Sequence, residues 1–258
     1  MRKTVNPYLN ALKNMWDRFV WDASVESWVS RNKLKHVKDR YRQGKAVILC
    51  NGPSLNDVDF EMLSESGVFT LGLNKINLLF ERTNFRPSVV VAINEHVIEQ
   101  NAAFYKATDL PLYLSWLGFK DVGRREHITY LHTTRQQKFA QDCSVSVVPG
   151  YTVTYVALQL AFHMGFEQVA LVGCDHNFAS KGRPNETVEA GATDPNHFDP
   201  RYFSGGVKWQ LPDLIGSEYF YNMAGQSYEA AGRRIINCTE GGKLESFERS
   251  SLAEFLKT

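Results

Sequence analysis

The sequence predicts an α/β protein: a Rossmann-like, doubly wound, mostly parallel sheet with helices on both faces, a long lid-like insertion and an N-terminal helical extension. Three observations predict it. Short β-rich runs alternate with helical stretches from residue 44 onward. Several of those runs are continuously apolar, the mark of strands buried on both faces. Strand-helix alternation of this kind builds parallel sheets through crossover units.

The predicted strands are Ala46–Cys50, Val68–Leu73, Ser88–Ile93, Leu112–Ser115, Ile128–Leu131, Ser144–Val148, Gln168–Val172 and Arg234–Asn237. The helical stretches between them are 56–65, 95–106, 150–164 and 217–231, with Gly165 as C-cap of the third. These elements make residues 44–258 one Rossmann-like nucleotide-binding domain. Residues 1–43 form a separate helical extension, with Trp16, Phe19, Val20, Trp21, Val25, Trp28 and Val29 spaced for one or two amphipathic helices. Such helices pack on the main domain, contact a second copy of the chain, or lie on a membrane surface. Residues 176–216 break the rhythm with Gly, Pro, Asn and Asp among Phe178, His197, Phe198, Tyr202, Phe203 and Trp209. A loop of that length is functional or disordered more often than passive, and it reads as a lid or acceptor-binding insertion.

The chain has 258 residues and a net charge of +1, so no global field draws nucleic acid to it. No run of about 18 apolar residues marks a membrane span, and the first residues lack the apolar centre of a signal peptide. The four cysteines show no paired spacing and read as free thiols in a reducing compartment. A cytoplasmic protein, with peripheral membrane contact through the N-terminal helices as the alternative, is the expectation.

The candidate chemistry gathers at predicted strand ends. After the first strand comes Asn51-Gly52-Pro53-Ser54-Leu55. Gly52 permits a close backbone approach, Pro53 stiffens the turn, and Ser54 caps a helix or donates to a phosphate oxygen. The loop is neither a dinucleotide fingerprint nor a Walker loop, and a plain strand-turn-helix explains it equally well. Asn74 and Asn94 end the second and third strands, on the edge where open α/β sheets bind ligands. One such asparagine is a turn residue; with Asn51 they form a convergent polar rim. Gly150 and Thr152 open a helix whose first amides suit an anion, or Thr152 merely caps it. Gly173 and Asp175 form a further strand-to-turn junction, where Asp175 holds a hydroxyl, holds a metal or only shapes the turn. His197 lies in the insertion and suits a general base, its ordinary pKa being near neutrality; a solvated loop histidine is the plain alternative. Asp57-Val58-Asp59 falls inside a predicted helix and His163 on an apolar one, so both read as structural. No spacing supports a structural zinc site.

These motifs, in this order, together with Asn237 to Leu244, resemble the MptE-like domain family, found in 6-hydroxymethylpterin diphosphokinases and in bacterial motility accessory factors implicated in attaching nonulosonic acids to flagellin. The likeness spans roughly residues 44–247. The order is also similar to the bacterial sialyltransferases of glycosyltransferase family 42. That resemblance implies a cytidine monophosphate donor lined by Asn51, Gly52, Ser54, Asn74 and Asn94, a helix at Gly150 approaching the nucleotide, and His197 as base. Asn177 and Tyr202 stand as substrate or phosphate contacts. The sequence departs from the pattern at Pro149-Gly150, where those enzymes carry a Ser-Gly pair, and at His176-Asn177, where they carry aromatics.

Three functions follow as expectations. The favoured one is a glycosyltransferase that uses a nucleotide-activated sugar and a glycan or protein acceptor, with amides at 52–54 and 150–152 holding the leaving charge and no metal required. The second moves pyrophosphate from ATP to a hydroxymethylpterin with Mg²⁺ on Asp175 or Asp59. The third is a non-catalytic partner in glycan assembly. A homo-oligomer is compatible with all three.

Overall fold

The computed structural model describes residues 6–180 and 182–257. Two helices come first, α1 (Pro7–Ala23) and α2 (Val25–Val37). Asn6 caps α1 by accepting from the Tyr8 amide, and Ser24 ends α1 while capping α2. Residues 1–5 of the expected extension lie outside the described residues. The chain continues through β1 (Lys45–Leu49), α3 (Phe60–Glu65), β2 (Phe69–Leu73), β3 (Val89–Ala92), α4 (Glu95–Gln100), α5 (Ala102–Ala107), β4 (Leu112–Ser115), α6 (Phe119–Val122) and β5 (Ile128–Leu131). It then forms α7 (Val153–Met164), β6 (Gln168–Val172), β7 (Thr187–Glu189), β8 (Lys208–Gln210), α8 (Leu214–Glu229), β9 (Arg234–Asn237), β10 (Glu248–Arg249) and α9 (Leu252–Lys257).

Eight strands make one parallel sheet in the order β10-β9-β6-β1-β2-β3-β4-β5. The sheet grows outward from β1 in both directions, so the topological switch lies between β1 and β6. Alternate residues of β1 serve opposite faces: Ala46 and Ile48 join the core under α7 and α8, while Val47 and Leu49 join the core under α3, α4 and α5. Both faces are covered, which is why the strands read as unbroken apolar runs. The expected α/β fold class stands.

Some element boundaries differ from expectation, each for a local reason. Residues 144–148 form no strand and make a single parallel bridge, Thr133 with Val147. Side chains have taken the backbone groups a ladder would need. Asp142 accepts from the Ser144 amide, and the buried Gln159 carboxamide bonds both the amide and the carbonyl of Val148. The stretch 95–106 splits at Asn101 into α4 and α5. The stretch from 56 begins instead as a 3-10 turn, Pro53–Asp57, before Asp59 caps α3. Gly165 is a left-handed C-cap with φ +99.

Residues 176–216 are folded down on the sheet edge. Phe198, Tyr202, Phe203, Trp209 and Leu211 are buried and belong to the core on the β1–β5 side. The Phe198 amide donates to the Asn51 carbonyl at 3.0 Å, and Asn56 donates to the Phe198 carbonyl at 3.0 Å. These aromatics are therefore packing residues. In the N-terminal region α2 lies on β5, with Leu34 in the core and Ser30 accepting from the Tyr130 amide. Helix α1 is pinned by Trp21, edge-on to Trp116 at 5.2 Å, and by Arg18 donating to the Val145 carbonyl.

Candidate functional site

A cleft of about 790 Å³ opens at the carboxyl ends of β1, β2, β3 and β6, beside the topological switch. Asn51, Gly52, Asn74, Asn94, Gly150, Thr152, Gly173, Asp175, Asn177, His197 and Tyr202 all line it. Pro53 and Ser54 stand just behind the lining, on the 3-10 turn. Residues more than a hundred positions apart thus meet on one edge of the sheet.

The loop after β1 is already occupied by a carboxylate of the protein. Ser54 donates its hydroxyl to Asp175 Oδ2 at 2.7 Å and its amide to the same carboxylate at 3.3 Å. The Gly52 amide donates to the Gly173 carbonyl at 2.9 Å, and Pro53 has no N–H. This corrects the expected role of the amides at 52–54, which are committed and do not face a leaving phosphate. Gly52 is required for a different reason from ligand approach: a Cβ there would lie 2.0 Å from Asp175 Oδ2. Asp175 and Ser54 together tie β1 to β6.

Two asparagines remain open. The side-chain oxygens of Asn51 and Asn74 are buried and have no hydrogen-bond partner. Asn51 is held by its Nδ2, which donates to the Leu73 carbonyl at 3.0 Å. Asn74 sits at φ +48, a left-handed conformation that Asn tolerates at modest cost. Buried acceptors without partners are rare, and a pair on one cleft calls for a donor from a ligand or water. Asn94 has a plainer place. It caps α4 through the amides of His96 and Val97 and donates to Gln210 of β8. Thr152 likewise caps α7 by accepting from the Thr154 amide, and Gly150 adopts φ +56 where a Cβ would strike the Tyr155 ring. Asn177 is exposed at the rim.

His197 is oriented by a partner that spacing alone left unnoticed. Its Nδ1 lies 2.7 Å from Oδ2 of the buried Asp194. The same oxygen accepts from the Phe203 amide, and Oδ1 accepts from the Asn196 amide. Burial pushes the Asp194 carboxyl up, but the bonds from His197 and from the two amides outweigh it and hold the group below the ordinary carboxylate value. An ionised Asp194 only accepts, so Nδ1 carries the proton and Nε2 is the basic nitrogen. The ring stacks on Tyr202 at 4.0 Å and meets Phe203 edge-on at 5.3 Å. Burial drives the Tyr202 hydroxyl far up, so it stays a neutral phenol. Tyr202 lines the cleft and supports the imidazole.

Lys75 completes this scaffold, and no motif marked it. It is buried, donates to Gln100 Oε1 and to the Tyr202 carbonyl, and lies 4.9 Å from the centre of the Phe203 ring. Burial lowers its pKa from 10.5 to about 8, partly opposed by Asp194. In the unfolded chain the amine regains its ordinary value. Between about 8 and 10.5 the unfolded state therefore binds more protons, and stability rises with pH across that window. Relative to Lys75→Met, the wild type is expected to gain on the order of 2 kcal/mol from pH 7.5 to pH 10.5 in urea unfolding. Parallel pH profiles for the two proteins would remove this account of Lys75.

Asp59 caps α3 through the Met62 amide and is not among the residues that line the cleft. His163 is buried, lying 3.0 Å from the Leu34 carbonyl and accepting from the Cys143 amide. Among the described residues, no group of three or more His, Cys, Asp or Glu side chains is placed to hold a metal ion. No helix among them is long and apolar enough to cross a membrane.

Fold and site together define an α/β protein with an all-parallel, doubly wound sheet and a polar cleft at its switch point. The family model described as 6-hydroxymethylpterin diphosphokinase MptE-like matches residues 23–181, more than half of the chain, and the chain belongs to the MptE-like family. None of the curated proteins compared matches it. Among solved structures, the MAf glycosyltransferase from Magnetospirillum magneticum AMB-1 superposes on 88% of this chain with a TM-score of 0.52 at 15% identity. This chain spans 38% of that protein, and the likeness is one of fold.

Proposed function

We propose that the chain is a glycosyltransferase-like enzyme that uses a nucleotide-activated sugar, of the cytidine monophosphate nonulosonic acid class, in surface or flagellar glycan synthesis. The observation that carries this reading is the His197–Asp194 pair facing a cleft whose floor holds two unpaired acceptors, Asn51 and Asn74. The acceptor hydroxyl passes its proton to His197 Nε2 as its oxygen attacks the anomeric carbon. The bond from that carbon to the phosphate oxygen breaks, and the nucleotide leaves with the electron pair. Asp194 stabilises the imidazolium that forms. Asn51 and Asn74 accept from hydroxyl or amino groups of the donor nucleotide. With the amides of Gly52, Ser54 and Thr152 committed, the leaving charge falls to the remaining amides that open α7 and to Arg135 and Lys208 at the rim. The likeness of fold to a MAf glycosyltransferase supports the class, and no metal is needed in this scheme.

A second reading, pyrophosphate transfer from ATP to a hydroxymethylpterin with Mg²⁺, rests on the description of the family. Thermal unfolding with CMP, CDP, UDP and ATP, each with and without Mg²⁺, separates the two, because a ligand stabilises the fold by mass action. Stabilisation by CMP without metal is the expected result. Stabilisation by ATP with Mg²⁺ alone would replace the first reading by the second. No response to any nucleotide leaves a non-catalytic role in glycan assembly.

A further inference from the structure

Helix α1 is amphipathic, and its apolar side points away from the protein. Tyr8, Leu12, Met15, Trp16 and Phe19 recur at the spacing of one helical face and are each 61–79% exposed. Trp21, on the inner side, is 1% exposed and anchors the helix, and Arg18 and Asp22 hold the polar side against α2 and residues 145–146. Trp28 of α2 is 69% exposed as well. Aromatic side chains carry roughly 150–250 Å² each. Tyr8, Trp16, Phe19 and Trp28 alone therefore leave on the order of 500 Å² uncovered, as much as the largest patch of a typical monomer.

Charge decides what fits this face. Residues 1–43 hold ten Lys and Arg against four Asp and Glu, a net +6; residues 44–258 hold 19 against 24, a net −5. Lys13 borders the apolar side of α1, with Arg2 and Lys3 just ahead in sequence. Asp17 lies about 140° around the helix from Leu12, on the opposite side. Two copies meeting through α1 would bring two segments of like net charge together. An anionic bilayer attracts that charge and accepts Trp, Tyr and Phe at its headgroup level. We propose that α1 docks the protein on an anionic lipid surface, lying in the interface with Trp16 and Phe19 inserted. The site would then work beside the membrane, on an acceptor or product held there.

The test is co-sedimentation of the full chain with vesicles of phosphatidylcholine alone, and of phosphatidylcholine and phosphatidylglycerol in equal parts. Binding is expected on the mixed vesicles and to be at least about tenfold weaker on the neutral ones. Emission from Trp16 and Trp28 should shift to the blue on the mixed vesicles. Trp16→Ser with Phe19→Ser should weaken binding by about tenfold or more. Both side chains are exposed, so an unchanged unfolding midpoint is the control for folding. Lys13→Glu keeps the apolar face and should weaken only the anionic binding. Failure to sediment with either vesicle overturns the proposal. So does equal binding to both, or a dimer in light scattering that the double variant abolishes while vesicle binding stays absent. None of these results depends on nucleotide binding, so the proposal fails or stands apart from the assigned reaction.

Discussion

Replacing His197 with alanine is expected to lower sugar transfer by about 10²–10⁴-fold and to leave nucleotide affinity nearly unchanged. The ring's Nδ1 is engaged by Asp194, and Asn51 and Asn74, the proposed donor contacts, belong to other elements. Losing the imidazole therefore removes a proton acceptor without removing a donor contact. Asp194→Asn is expected to act in the same direction, because an amide in place of the carboxylate can no longer fix the tautomer and does not stabilise the imidazolium. The two effects should not add, since both variants disable one unit. Initial rates with isothermal titration of the nucleotide check this. A His197→Ala enzyme with wild-type turnover would end the assignment of the base, and one that has lost nucleotide binding would move His197 from catalysis to binding.

Gly52→Ala is expected to be the most damaging single methyl in the site. The backbone at Gly52 has φ −71, which any residue adopts, so the cost is purely steric. The new carbon would sit 2.0 Å from Asp175 Oδ2 and 2.7 Å from the Gly173 carbonyl. Either the carboxylate swings out and leaves the Ser54 hydroxyl and amide unpaired, or β1 and β6 part. A loss of about 2–4 kcal/mol follows, which is a fall of roughly 5–15 °C in the unfolding midpoint for a chain of this size. In an Asp175→Ala background the same methyl should cost much less, with the Gly173 carbonyl as the remaining obstacle. An equal cost in both backgrounds would show that Asp175 is not what Gly52 accommodates.

The main sheet was legible because burial on both faces writes itself as uninterrupted apolar runs. Leu112–Ser115, Ile128–Leu131, Gln168–Val172 and Arg234–Asn237 are strands over the expected residues. The run at 144–148, Ser-Val-Ser-Val-Val, is β-rich as well, but a glutamine on α7 satisfies its backbone, and nothing local reveals that. The short antiparallel ribbon of β7 and β8 lies within the polar insertion and has only three residues a side, too few for the alternation in Val207-Lys208-Trp209-Gln210-Leu211 to stand out. In the site, residues at strand ends were legible because the fold delivers them to one edge. Their partners were not. Asp175 reads equally as a hydroxyl ligand, a metal ligand or a turn former, and only the fold brings it to Ser54. No motif marks Lys75, and only the fold packs it against Tyr202 and Phe203. Asp194, three residues before His197, was the one partner in reach of a local reading.

The carboxylate of Asp175 resting on Ser54 has a practical meaning for chemistry aimed at this cleft. An inhibitor that mimics a phosphate would meet a position next to that loop whose hydrogen-bond donors are spent and whose own charge is negative. A neutral fragment bearing N–H or O–H groups suits the cleft beside Asn51 and Asn74 better, because their side-chain oxygens are unpaired, though buried, acceptors. Any acidic group of such a compound belongs at the other end, toward Arg135 and Lys208.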